Sequence, residues 1–127
     1  MPCWIFVMAG NNSEFLEKIK TKRWSLYKRT NNRLNIRKGD KILFYLARYP
    51  RRKFVANGVL SSNVKEEVDE FSVGLYKIRL WKIQVPIRPL ISSLKFIKDK
   101  EKWGRYMQGG IIRISDRDYD FIMGEKQ

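Results

Sequence analysis

Apolar positions along this chain fall into short blocks divided by polar turns. Cys3 to Ala9 (CWIFVMA) is almost continuously apolar and stops at Gly10, the pattern of a strand buried on both faces. Asn12 or Ser13 then offers a helix cap. Phe15, Leu16 and Ile19 recur on one side of the helix that follows, while Glu14, Glu17, Lys18, Lys20 and Lys22 face water, and the helix is expected to end near Thr21. From Arg23 to Lys38 the periodicity lapses into Asn, Arg and Lys, which predicts a long ordered loop. Gly39-Asp40 turns into a second buried run, Lys41 to Ala47 (KILFYLA). Tyr49-Pro50-Arg51-Arg52 reads as a hairpin loop before a third strand, Phe54 to Ser61, with Gly58 as a bulge or close-packing point.

The second half alternates more clearly. Asn63 to Glu70 holds an acidic stretch, and Leu75 to Val85 (LYKIRLWKIQV) alternates apolar with basic residues, so one of its faces is expected to be solvated. Pro86 and Pro89 end that strand, and Leu90 to Phe96 reads as a helical turn. Gly110 to Ile114 is a last short strand, after which Ser115 and Asp118 sit at the spacing of a helix cap for a closing helix carrying Tyr119, Ile122 and Met123. Five or six short strands with a few short helices predict an α+β fold built on a small, strongly curved sheet or barrel. No Gly/Ser linker, repeat or low-complexity stretch divides the 127 residues, so residues 1–127 are expected to form a single domain.

Charge changes this picture more than size does. Residues 18 to 53 hold fourteen Lys and Arg against Asp40 alone, out of a net charge of +14 for the whole chain. Surfaces normally mix both signs, whereas a one-sided field attracts a polyanion. A nucleic acid, RNA or DNA, is the expected partner, because phosphates supply that attraction independently of sequence. An anionic membrane is the weaker candidate: no apolar run approaches the roughly 20 residues of a spanning helix. The N-terminus has no basic region ahead of its apolar stretch, and Cys3 is the one cysteine, so a reducing, cytoplasmic setting without a signal peptide is expected, with no membrane role and a monomeric chain.

Absences prune the chemistry. With no His and one Cys, the catalytic triads, imidazole bases and structural zinc sites are excluded. No phosphate loop or dinucleotide motif occurs, so no cofactor and no metal are expected. Only carboxylates, Lys and Tyr remain as acids or bases, and a binding protein is expected rather than an enzyme. The alternatives are a metal-independent ribonuclease, or an RNA binder that reads shape and charge alone. Aromatic residues are interleaved with the charge: Trp24 and Tyr27 in the expected loop, Tyr45 and Tyr49 around the second strand. Such rings can stack an extruded base at about 1–3 kcal/mol each. Trp24 lies in a polar stretch with no periodicity to explain it. Tyr45 stands in an apolar strand and suits the core equally well. Trp4 and Trp81 lie in strands, where packing is the default, and simple alternation leaves the facing of Trp81 ambiguous.

The sequence RWSLYKRTNNRL (Arg23 to Leu34), then RKGDKILFYL (Arg37 to Leu46), VANGVL (Val55 to Leu60) and the run from Pro89 to Ile122 resemble, in order and spacing, the EVE domain of the PUA-like superfamily, and small archaeal EVE-type proteins in particular. The resemblance covers most of the chain. It implies a PUA-like curved sheet or barrel of five to six strands with flanking short helices, and a pocket that receives a flipped, often modified, nucleobase. The related YTH domain uses such a pocket for N6-methyladenine in RNA. Carried onto this sequence, the resemblance implies Trp24 as a pocket wall, Ser25 as a hydrogen-bonding neighbour, Asn11 as a reader of the base edge, Tyr45 as the second-strand aromatic, and Trp103 in a closing segment with Arg105 as a phosphate contact. Tyr27 joins that expected base pocket from its place beside Trp24. Lys28, Arg29, Arg33, Arg51, Arg52 and Lys53 are the expected phosphate contacts beside it. Where the family runs GVRN after this Trp, the present chain has SLYKR.

Overall fold

The computed structural model describes residues 2–26, 32, 34–48, 52–68 and 70–126. The two apolar runs form the centre of the sheet. β1 (Cys3–Met8) lies parallel to β3 (Lys41–Leu46), with Cys3 opposite Lys41 and Met8 opposite Leu46. α1 (Asn12–Lys20) and β2 (Arg23–Leu26) separate them in sequence. β4 (Lys53–Leu60), β5 (Lys65–Glu67) and β6 (Glu70–Pro86) follow as antiparallel neighbours. β7 (Ile111–Ile114) closes the other edge against β1, and α2 (Asp116–Gly124) ends the chain. The strand order is β2-β6-β4-β3-β1-β7, with β5 added on β6. Two 3-10 helices, Arg88–Ser93 and Trp103–Met107, carry the chain from β6 to β7.

The sheet curls into a half-barrel. Its curvature has a local source: the β4–β6 register shifts between Phe54 and Ala56 and again between Asn57 and Val59, and bulges bend and twist a strand. Gly58 lies at the second shift, and a Cβ there would stand 3.3 Å from Phe44, so it is both a bulge and a close approach. β6 has 17 residues and Lys77 within it takes a left-handed φ of 53°. That local twist lets one strand serve both β4 and β2.

Both faces of the sheet are covered. Alternation along β3 sends Ile42, Phe44 and Leu46 to one layer with Trp4, Phe6 and Phe15, and Leu43 and Tyr45 to the other with Cys3, Ile5 and Phe54. Buried polar groups are matched. The Trp4 indole N–H donates to Asp40 at 2.8 Å, and the Arg37 backbone N–H donates to the same carboxylate oxygen at 2.9 Å. Ser115 caps α2 as its position predicts, its hydroxyl accepting the Asp118 N–H at 3.1 Å. The cap of α1 is one residue earlier than expected: Asn11 accepts from Glu14 N–H at 2.9 Å, and the Glu14 side chain accepts from Asn11 N–H at 3.1 Å. Among the described residues no helix is long and apolar enough to cross a membrane.

Candidate nucleic-acid interface

The expected loop after α1 starts as a strand. Arg23 to Leu26 pairs with Gly74 to Phe71 of β6, and the four residues alternate outward and inward. Trp24 and Leu26 therefore point into the core, and Arg23 and Ser25 point out. Trp24 is 3% exposed, with ring centroids of Phe44 at 5.2 Å, Phe6 at 5.6 Å and Phe15 at 6.3 Å. The expectation of an open aromatic wall at this position is corrected by that packing. One further group stands against the indole: the Lys18 ammonium, 4.1 Å from the ring centroid. Burial lowers the pKa of that amine below its ordinary value, because the charged form loses water.

Tyr45 lies across the sheet from Trp24. It is 1% exposed, packs on Phe54 at 5.1 Å, and belongs to the opposite layer. Burial pushes its hydroxyl up to about 12, with the Arg52 guanidinium pulling weakly the other way. The core reading of Tyr45 thus holds. Asn11 is at the α1 cap, and its side-chain oxygen is engaged there. The five expected pocket residues that are described, Asn11, Trp24, Ser25, Tyr45 and Trp103, do not form one pocket. Ser25 is exposed on β2, Tyr27 lies outside the described residues, and one sheet layer separates Trp24 from Tyr45. A strand inverts its side chains at every residue, so two aromatics from strands of one sheet share a pocket only if they point to the same face.

Trp103 is placed differently. It opens the second 3-10 helix, is half-buried, and packs against the layer that contains Tyr45. The guanidinium carbons of Arg52 and Arg88 stand 5.4 Å and 5.9 Å from its ring centroid. Arg52 is held there by the sheet: its carbonyl accepts the Ile87 N–H at 3.1 Å, which brings Arg88 alongside. Lys53 follows at the start of β4, half-buried, and Arg105 is exposed on the same 3-10 helix as Trp103. Arg88 escapes a sequence reading that follows charge density. Its signal is the isolated cation in PIRP, between two prolines that fix the backbone. Lys28, Arg29, Arg33 and Arg51 lie outside the described residues.

Trp81, ambiguous from alternation, is 7% exposed and donates its indole N–H to Asn57 at 2.8 Å. Its edge borders a cavity of about 250 Å3 beside Phe15, Leu80 and Gln84. Elsewhere, the buried Cys3 thiol is pushed up to about 11, by burial first and then by its hydrogen bond to Asp116, and burial raises Tyr119 to about 12. Among the described residues no group of His, Cys, Asp and Glu could hold a metal ion.

Comparison with known proteins bears on this geometry. The family model of the EVE domain matches residues 3–125. A UPF0310 protein of Mycolicibacterium gilvum is 35% identical over 95 residues, covering 67% of each chain. The UPF0310 protein PYRAB08750 of Pyrococcus abyssi is 28% identical over 140 residues, covering 96% of this chain and 97% of its own. Human THYN1, solved in complex with DNA containing 5-methylcytosine, superposes with a TM-score of 0.68 over 100% of this chain and 98% of its own at 10% identity, which is a likeness of fold. The half-barrel is thus PUA-like, and the chain belongs to the EVE domain family.

Proposed function

We propose that this EVE domain is a nucleic-acid-binding module in which Trp103 supplies a stacking surface for an extruded base and Arg52, Arg88 and Arg105 supply phosphate contacts. The observation that carries the reading is the half-buried Trp103 indole with two guanidinium groups within 6 Å of its ring centroid. Aromatic faces beside arginines accept unstacked bases without regard to sequence, and the cations draw in the backbone. The structural neighbour THYN1 was solved with DNA carrying 5-methylcytosine, which supports trying DNA with modified and unmodified bases first. Extruding a base from a duplex costs a few kcal/mol, and stacking at about 1–3 kcal/mol together with charge contacts can offset it.

Binding rather than catalysis is part of this proposal. Cys3, Tyr45 and Tyr119 are all pushed further from neutrality, the reverse of what a general base or nucleophile needs. Labelled RNA incubated with pure protein is expected to stay intact, and turnover above background would revive the ribonuclease alternative.

Lys18 favours a second reading. A cation over an indole contributes about 0.5–2 kcal/mol, while a stacked base contributes about 1–3 kcal/mol. A base could therefore displace the Lys18 side chain and take its place on Trp24. Fluorescence titration with oligonucleotides separates the readings. Loss of quenching in Trp103→Phe supports the first, and loss in Trp24→Phe supports the second. Unchanged quenching and affinity in both, with no preference among bases, would leave a binder of charge and shape alone.

A further inference from the structure

A second cationic depression is lined by the segment just ahead of Trp103 and by the start of α2. Its volume is about 510 Å3, and its walls carry Ser92, Ser93, Lys95, Lys98, Lys100 and Arg117. None of these residues falls in the basic tract of residues 18 to 53. We propose that this depression is a second phosphate-binding site, which takes a backbone phosphate of the nucleic acid held at Trp103. The inference rests on the nucleic-acid reading above.

The site is prearranged by one buried carboxylate. Asp118, 1% exposed, accepts the backbone N–H of Lys95 at 2.9 Å and that of Phe96 at 3.0 Å, one on each oxygen. This ties the segment bearing Lys95 and Lys98 to the first turn of α2, which bears Arg117. Leu94 and Ile97, both fully buried, anchor the floor, and the Lys100 ammonium donates to the Leu94 carbonyl at 2.7 Å. The nearby acids are committed to other partners. Asp99 accepts from the N–H groups of Glu101 and Lys102, and Asp116 accepts from the Cys3 thiol. Among the described residues the ion pairs are Lys20–Glu17 and Arg48–Glu14, so none of the four cations here meets a carboxylate at ion-pairing distance. Four cations and two hydroxyls around one depression, with none of the cations in an ion pair, match the donor set of a phosphate.

Its place relative to Trp103 follows from the chain itself. Lys100 precedes Trp103 by three residues, so at about 3.8 Å per residue their Cα atoms are at most about 11 Å apart. The Asp99 N–H donates to the Tyr106 hydroxyl at 3.1 Å, which ties the segment bearing Lys98 and Lys100 to the 3-10 helix that opens with Trp103. A duplex rises about 3.4 Å per base pair, so a short ligand reaches both sites.

The test uses the double variant Lys98→Glu/Arg117→Glu, both exposed positions; an acid in the first turn of α2 also suits the helix dipole, so folding is retained and is checked by thermal midpoint. Affinity for a duplex of about sixteen base pairs is measured across salt concentrations, and binding of inorganic tripolyphosphate is measured in parallel. The expected result is a loss of at least about tenfold in duplex affinity and a fall of about 1 in the log–log salt slope, for the one phosphate contact removed. A variant that matches the wild type in affinity and slope overturns the inference while leaving the nucleic-acid reading intact. Should the wild type ignore the duplex yet bind tripolyphosphate in a manner the variant loses, the phosphate site stands and the nucleic-acid reading falls. If neither ligand binds the wild type, both fall.

Discussion

Two tryptophans on opposite layers of one sheet stand in different surroundings. Trp24 lies among three phenylalanines in the core, with the Lys18 ammonium against its ring. Trp103 stands half-buried on a 3-10 helix with arginines at its faces. Both neighbourhoods are aromatic and basic in sequence, so composition cannot separate them. Strand membership does: β2 forces Trp24 inward by parity, while a short 3-10 helix in a connection leaves Trp103 at the surface. A ring useful to a ligand must be fixed by the fold on one side and left to weak, replaceable neighbours on the other.

The largest effect that would sharpen this contrast is on stability. Trp24→Ala is expected to cost about 3–5 kcal/mol, the range for emptying a buried large aromatic, and to shift the denaturant midpoint strongly. A loss below about 1 kcal/mol would mean that the phenylalanine box closes without the indole, and the comparison would break. Trp103→Ala should do the reverse. Its folding cost is expected to be smaller, while oligonucleotide affinity falls by about 10- to 100-fold, corresponding to stacking at about 1–3 kcal/mol. Equal affinity in that variant would strip Trp103 of its role.

What could be read beforehand follows the same division. The buried runs of β1 and β3 announce themselves because each is apolar on both faces, and the cap of α2 needs only local spacing. The α+β, PUA-like half-barrel is therefore largely legible. β2 is not, since four residues alternating between inside and outside are lost among flanking Lys, Arg and Asn, and they become a strand only by pairing with β6, Leu26 with Phe71 and Arg23 with Gly74, far along the chain. That missed strand moved Trp24 from an expected pocket wall to the core. The cap of α1 was read one residue late for a related reason: with Asn11, Asn12 and Ser13 adjacent, three residues could cap the helix, and the first does. Trp103 and Arg52 meet through contacts far apart in sequence, which no local pattern encodes; the family resemblance had pointed to Trp103, and the density of charge to Arg52.

A smaller effect should appear at alkaline pH. Tyr45 is raised from 10.0 to about 12 by burial, so the folded state holds its proton more tightly than the unfolded chain does. The resulting stability is complete below pH 10 and is lost as pH climbs through about 12. Tyr45→Phe is expected to flatten part of that decline in thermal midpoints. Cys3 and Tyr119 are raised as well and keep the remainder. An identical decline in the variant would show that Tyr45 titrates as it does in the unfolded chain, and the distinction between a core Tyr45 and an accessible one would go with it.

The smallest effect concerns the lysine on Trp24. Desolvation lowers the Lys18 pKa from 10.5, so burying this ammonium costs stability, and that cost is complete below the lowered value and fades as pH rises from it toward 10.5. Against the cost stands the cation–π contact at 4.1 Å, about 0.5–2 kcal/mol. Lys18→Met removes the charge and replaces that contact with a sulfur–aromatic one of about 0.3–1.5 kcal/mol, so the two contacts nearly cancel and the desolvation cost decides the sign. The variant is expected to be slightly more stable at pH 7, by less than about 1 kcal/mol in urea titration, with the gap narrowing as pH rises. A less stable variant at pH 7 would mean that the ammonium is held on the indole by more than it costs to bury. Trp24 would then be closed to a base as firmly on its lysine side as on its phenylalanine sides, leaving Trp103 as the ring a nucleic acid can reach.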